Sequence, residues 1–220
     1  MLKNCFILIP ARKGSKGFPD KNKILFKFTA QQIPEKYKNI SFVSTDDEFI
    51  KKEAGDYGIK VVERPSEMAQ DQTSMREVLA HFVESQNIDS DATVIILYLT
   101  YPERKWSDIV DIYEFFNSRP EKSLICCEEV ERHPYLCFYE KEDYKAELVV
   151  NHDLYRRQDY PKCVIMSMYV ACYNPDIISN LHLNMFEDNT IFYKLRKNKV
   201  DVDHLKDYEN FKQKREKKNV

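Results

Sequence analysis

Ile9-Pro10-Ala11-Arg12-Lys13-Gly14-Ser15-Lys16-Gly17-Phe18-Pro19-Asp20-Lys21-Asn22 gives every other segment of the chain its place. Just before and into it runs Cys5-Phe6-Ile7-Leu8-Ile9, an apolar stretch that predicts a buried strand. The chain then turns polar, with two of its four glycines and the basic residues Arg12, Lys13, Lys16 and Lys21. Glycines let backbone N–H groups converge on an anion, and the cations neutralise it. A loop of this kind after the first strand is where an open α/β sheet holds phosphates. The competing reading is a solvated basic turn. The scarcity of glycine elsewhere in 220 residues favours the phosphate loop. Gly14-Ser15-Lys16-Gly17 fits neither the G-x-G-x-x-G fingerprint nor G-x-x-x-x-G-K-[ST]. By its residues alone, the stretch binds a nucleotide or another polyanion.

Around this loop, strand-like runs at 40–43, 59–62, 93–99, 123–129, 164–173 and 191–195 alternate with helical patterns. That alternation predicts an α/β fold, a mainly parallel sheet with helices on both faces. A short helix is expected at 24–33. Asp46 is placed to cap a helix over 47–56 that Gly58 ends. Ser74-Met75-Arg76-Glu77 spells a capping box ahead of Val78, Leu79, Phe82 and Val83 on one face. Ser107 is expected to cap a helix with Ile109, Ile112, Tyr113 and Phe116 inward. Asn174-Pro175 opens a short helix, and another starts at His204. The segments 135–139 and 146–150 flank a polar turn and predict an antiparallel hairpin leaving the sheet. The charged tail after Lys212 is expected to fray.

Length suits one domain over 1–220, and a 43% hydrophobic content suffices for its core. A net charge of −2 makes no electrostatic case for nucleic acid or a membrane surface. No apolar run is long enough to span a bilayer, and the first residues lack a signal-peptide pattern. Six cysteines without a C-x-x-C spacing predict reduced core thiols in a cytoplasmic protein rather than disulfides or a zinc site.

Six separated motifs carry a family resemblance. They are the 9–22 loop, Ser44-Thr45-Asp46-Asp47, Arg64-Pro65, Glu129-Val130-Glu131-Arg132-His133-Pro134-Tyr135, Arg157-Gln158-Asp159-Tyr160-Pro161 and Val200-Asp201-Val202-Asp203. In this order they resemble the CMP-sialic acid synthetases along nearly the whole chain. The resemblance implies transfer of CMP from CTP to the anomeric hydroxyl of an acidic sugar, with release of pyrophosphate. It implies a Rossmann-like three-layer sheet whose inserted hairpin, about 135–162, builds a homodimer. By similarity Ala11, Arg12, Gly14, Ser15, Lys16 and Lys21 form the triphosphate site, and Asn22 and Arg64 fix the cytosine. Ser74 lies near the nucleotide by the same resemblance, while its own pattern reads as a helix cap. Asp201 and Asp203 match the family's Mg²⁺ ligands. Carboxylates at i and i+2 of an extended segment point the same way and suit one hard cation that also takes phosphate oxygens. The competing reading of that pair is a helix cap. The implied chemistry is in-line attack on the α-phosphorus, with Arg12, Lys16 and Lys21 neutralising charge. No general base stands out, and His133 reads as structural.

The acceptor side departs from the family. Where Gln-Pro-Thr-Ser-Pro-Leu-Arg is usual, this chain has Tyr98-Leu99-Thr100-Tyr101-Pro102-Glu103-Arg104. Tyr98 lacks the paired donor and acceptor of the glutamine that contacts the sugar acid. Tyr101 and Glu103 add bulk and charge, while Thr100 and Arg104 are retained. Met166-Ser167-Met168-Tyr169 replaces an Asn-Gly-Ala stretch, and a Gly-Lys-Pro turn after Asn22 is missing. These changes imply an unchanged donor and a changed acceptor: another nonulosonic acid, or a smaller phosphate or phosphonate. Arg157 is the candidate for the acceptor's carboxylate or phosphate, since a guanidinium bonds either in pairs. A 3-deoxy-manno-octulosonate acceptor is disfavoured because 98–101 lacks the aspartate usual in that group. A CTP-binding protein without catalysis, and a structural α/β domain, are the other classes.

Overall fold

A computed structural model describes residues 2–15, 17–197 and 199–218. The first strand, β1 (Cys5–Pro10), alternates its side chains between two buried faces. Ile7 and Ile9 pack on one side and Leu8 on the other, as strand geometry requires. Beside it lie β2 (Ser41–Thr45), then β3 (Lys60–Glu63), and on its other flank β4 (Thr93–Ile96), all parallel. The sheet continues through β5 (Ser123–Glu129), β8 (Val164–Tyr173) and β9 (Ile191–Lys194), giving seven strands in the order β3-β2-β1-β4-β8-β5-β9. β8 runs antiparallel to both neighbours. β6 (Phe138–Glu140) and β7 (Ala146–Leu148) form the expected hairpin as a separate two-stranded sheet.

Helices cover both faces. On one lie α1 (Lys21–Gln32), α3 (Glu48–Asp56), α5 (Trp106–Asn117) and α6 (Leu205–Lys218). Between α1 and β2 sits the one-turn α2 (Glu35–Lys38). The opposite face is covered by α4 (Met75–Ser85), with Leu79 and Phe82 fully buried, and by a 3₁₀ segment, Pro175–Asn180. Truncating a side chain such as Phe82 to alanine would cost about 3–5 kcal/mol. The Ser74 capping box forms as written: Ser74 Oγ accepts from Glu77 N, and Glu77 accepts from Ser74 N. Gly58 ends α3 with a φ of +68° that a side chain rarely adopts.

Several local expectations are corrected. α1 begins at Lys21, so Asn22 stands in its first turn. Asp47, not Asp46, caps α3 by accepting from Phe49 N at 2.9 Å. Asp46 instead accepts Lys13 N from the phosphate loop at 2.6 Å. α5 starts two residues earlier than Ser107 implies: Lys105 is the cap residue, without a side-chain cap bond. The segment after Lys212 is helical to Lys218, with Arg215 over the Phe28 ring at 5.0 Å. Cys5, Cys126, Cys127 and Cys172 are buried free thiols, but Cys137 is exposed and Cys163 half-buried, both in the excursion.

Candidate active site

Parallel strands end on one edge of the sheet, and the crevice between β1 and β4, where the chain crosses to opposite flanks, is the natural ligand site. A cavity of about 290 Å³ opens there, lined by Pro10, Arg12, Gly14, Ser15, Lys21 and Asn22 on the β1 side. Tyr98, Leu99 and Thr100 close it from β4, and Arg64, Gln70, Thr73, Met75 and Val78 from the segment after β3.

The phosphate loop is held from outside, leaving its own polar groups for a ligand. Ala11 is fully buried; its N–H donates to Ser44 O, and its carbonyl accepts from Thr45 Oγ1. Asn22 Nδ2 donates to Arg12 O at 2.8 Å, so the asparagine braces the loop while still lining the cavity. Phe18 is buried against Tyr208 of α6, ring centroids 5.5 Å apart. Gly14 has φ +74° with open space around it, the conformation that points successive N–H groups at an anion. Gly17 packs within ordinary contact of the segment that leads into α6. A Cβ there would lie 3.4 Å from His204 Nδ1 and 3.5 Å from Asp203 O. Lys16 lies outside the described residues.

The two ends of the chain therefore meet at this loop. Lys21 Nζ donates to Asp203 Oδ1 at 2.9 Å. Val202 N donates to Thr100 O at 2.8 Å, which lays 201–203 along the turn after β4. Tyr101 OH donates to Asp201 Oδ2 at 3.0 Å. The capping alternative for the acidic pair does not hold, since Asp207 accepts Asp203 N and His204 N at the start of α6. Partial burial, with Asp203 beside it, holds the Asp201 carboxyl above its ordinary pKa, although Thr100 and Tyr101 donate to it. Two neighbouring carboxylates beside a basic cleft are the oxygen type that a hard divalent cation takes.

Arg64 is 5% exposed; Nε donates to Ser44 Oγ at 3.1 Å and Nη2 to Ser44 O at 3.0 Å. Burial lowers its pKa to about 10, with Asp46 opposing and Arg12 adding to the fall, so it stays a cation at neutral pH. Arg12 Nη2 rests on Asp71 at 2.6 Å, an acid in the loop that also supplies Gln70 and Thr73. Ser74 is occupied by its capping box, while its neighbours Thr73 and Met75 face the cavity.

The residues expected at the acceptor are placed differently. Tyr98 lines the cleft, but its hydroxyl is buried and has no hydrogen-bond partner among the described residues. Tyr101 is 4% exposed and committed to Asp201 and Ser167. Arg104 is 2% exposed; it donates to Tyr169 O at 2.8 Å and to Tyr98 O, which ties β4's turn to a bulge in β8. Thr100 lines the cleft beside Asp201. Arg157 stands exposed on a one-turn 3₁₀ segment of the excursion. Local pattern could not have found Tyr101's partner, a hundred residues away, or the part played by Asp46 and Asp71.

A doubly covered, mostly parallel sheet with a glycine–lysine loop and an acidic pair at one crevice defines a nucleotide-binding α/β class. A family model described as cytidylyltransferase matches residues 6–219. N-acylneuraminate cytidylyltransferase of Streptococcus agalactiae serotype V is 30% identical over 217 residues, covering 91% of this chain and 51% of that protein. The serotype III protein of the same name matches with the same identity and coverage. The chain spans about half the length of these curated relatives. Among solved structures, a CMP:2-keto-3-deoxy-manno-octonic acid synthetase complexed with CTP superposes with TM-score 0.68 at 15% identity, over 97% of this chain and 99% of that one. The Francisella tularensis 2-C-methyl-D-erythritol 4-phosphate cytidylyltransferase gives 0.61 at 13% identity, over 96% and 99%. These structural likenesses show the fold. The chain belongs to the cytidylyltransferase family.

Proposed function

We propose that the protein transfers CMP from CTP to a small acidic acceptor, an acidic sugar by preference, with release of pyrophosphate. The observation that carries this reading is the 2.9 Å ion pair from Lys21 to Asp203, which joins the phosphate loop to the acidic pair across 182 positions of sequence. The backbone around Gly14 and the cations Arg12 and Lys21 receive the triphosphate. Asp71 and Asp203 hold those two cations at the cleft until phosphate oxygens replace them. Arg64 and Asn22 flank the base. Asp201 and Asp203 fit Mg²⁺, which takes one or two carboxylates and leaves positions for phosphate and water. When bound, the ion offsets phosphate charge and lowers the pKa of an attacking hydroxyl. The chain's own work is positioning and charge neutralisation. The same reading places Lys16, beyond the described residues, among the triphosphate ligands.

The departures at Tyr98 and Tyr101 support an acceptor other than sialic acid itself. A buried Tyr98 hydroxyl leaves an aromatic wall where an amide would grip a sugar acid. The excursion supports a homodimer: Phe138 is 59% exposed, Tyr139 55% and Ile165 57%, apolar area that a second copy would bury. Arg157, exposed on the same excursion, would then reach an acceptor across that interface. Six unpaired thiols suit a reducing cytoplasm.

The test is pyrophosphate release from CTP over a panel of nonulosonic acids, small sugar phosphates and phosphonates, with Asp201→Ala as control. Turnover with one acceptor, lost in the variant, is expected. Tight CTP binding with no turnover on any acceptor would replace the proposal with a CTP-binding protein.

A further inference from the structure

A second cavity, of about 540 Å³, lies on the α1–α5–α6 face of the sheet. Successive residues of one turn face different spaces: Tyr98, Leu99 and Thr100 line the nucleotide cleft, whereas Tyr101, Pro102 and Arg104 line this cavity. None of the residues lining one lines the other. Its apolar surfaces are Phe28, Phe211 and the rings of Tyr101 and Tyr169.

The polar side is unbalanced. The Arg104 guanidinium sits against the rings of Tyr101 and Tyr169, at 5.8 and 5.3 Å, and bonds only to backbone carbonyls among the described residues. Its Nη1 is buried without a hydrogen-bond partner among the described residues. Gln32, whose Nε2 donates to Pro102 O at 2.7 Å, leaves Oε1 buried in the same wall, with no partner among the described residues. Lys105, Lys197 and Arg215 stand exposed around the rim. Lys199 is already neutralised by Asp108 at 2.7 Å. Glu103 is the one acid among the described residues that line the cavity, and Asp201 is the acid whose field reaches Arg104 from the cleft side. A buried cation held by neutral carbonyls favours an anion nearby. Aromatic walls favour one with an apolar body.

We propose that this cavity is a second ligand site, separate from the nucleotide cleft, for a small organic anion: a phosphate or carboxylate carried on an apolar or aromatic body. The charged group faces Arg104 and the rim cations, and the body packs between Phe28, Phe211 and Tyr169.

Phenyl phosphate is the probe, titrated calorimetrically into the full chain and soaked into crystals. Saturable binding is expected, with density for the probe beside Pro102 and Arg104. Lys197→Met with Arg215→Met removes two rim charges while the second substitution keeps apolar cover on Phe28. Affinity should fall about tenfold, the combined effect of two partly solvated charge contacts. Arg12→Ala with Lys21→Ala, which disables the nucleotide cleft, should leave phenyl phosphate binding intact. Phenol, which has the same aromatic body without the charged group, should bind far more weakly. The proposal is overturned if no saturable binding occurs, if the Arg12/Lys21 variant abolishes it, if the rim variant leaves it unchanged, or if phenol binds equally well. Because none of these readouts uses CTP or turnover, failure of this site is distinguishable from failure of the proposed function.

Discussion

Tyr101→Phe separates positioning from packing at the acidic pair. The substitution deletes one oxygen, which donates to Asp201 Oδ2 at 3.0 Å and lies 3.3 Å from Ser167 Oγ. Little else should move. The ring keeps its perpendicular contact with Tyr169, centroids 5.4 Å apart, and Ser167 keeps its 2.7 Å bond to Glu128. A hydrogen bond to a charged group contributes about 1.5–3 kcal/mol. At the lower end of that range, Asp201's orientation toward a cation weakens by about tenfold in the equilibrium constant. The expected result is an apparent Mg²⁺ requirement for CTP-dependent pyrophosphate release raised by about that factor. Global stability should fall by no more than about 1.5–3 kcal/mol, since the site's other bonds persist. Ser167→Ala is the control: it removes Tyr101's other partner and should leave the Mg²⁺ requirement unchanged. The assay is initial rate against Mg²⁺ at saturating CTP, with urea melts run in parallel. An unchanged Mg²⁺ curve together with that loss of stability in the urea melts would refute the reasoning, for Tyr101 would then be a packing residue alone.

Lys21→Met should abolish pyrophosphate release while costing no more than about 1 kcal/mol in urea melts, because its Asp203 partner is 58% exposed and such pairs contribute little to stability. Gly14→Ala should cost about 1 kcal/mol, entirely from the backbone at φ +74°, and weaken CTP-induced thermal stabilisation; unaltered stability would show that the loop relaxes out of that conformation. Ser74→Ala should cost about 1 kcal/mol as a lost N-cap at neutral pH. Ser74 also holds the Glu77 carboxyl below its ordinary pKa, chiefly through its side-chain hydrogen bond. That stabilisation is full above Glu77's unfolded value and lost as pH falls through the lower folded one, so wild type and variant should converge in melts toward acid pH.

The parts of the fold readable in sequence are those decided by near neighbours. The run 123–129, with Leu124, Ile125, Cys126 and Cys127 at its centre, makes β5 with no adjustment of its ends. The Ser74–Glu77 box needs only four positions to specify itself. Non-local decisions were invisible. Asp46 and Asp47 are equally good caps by type, and the choice between them falls to Lys13, whose N–H takes Asp46 from 33 positions away. β8 has the same apolar signature as the sheet's parallel strands, and nothing in a periodicity of two encodes its antiparallel direction. The helical run through Lys218 depends on Phe28, which gives Phe211 and Arg215 a surface that a charged tail does not show by itself. At the site, the glycine–lysine loop and the two aspartates were legible as types. The aromatic segment 98–104 was read as one acceptor wall. Its residues instead divide, 98–100 lining the cleft and 101–104 the second cavity, because the chain turns there.

Lys21 and Asp203 are made at different times. At a synthesis rate of about 5–20 residues per second, some tens of seconds separate them on the ribosome. The β1 loop can therefore form its half of the cleft while the carboxylates have yet to be translated. On the proposed reading, a nascent chain holds its phosphate-facing residues before the carboxylates proposed for Mg²⁺ exist. The Lys21–Asp203 pair closes only when the segment before α6 arrives and Tyr208 covers Phe18, a delay written into chain order.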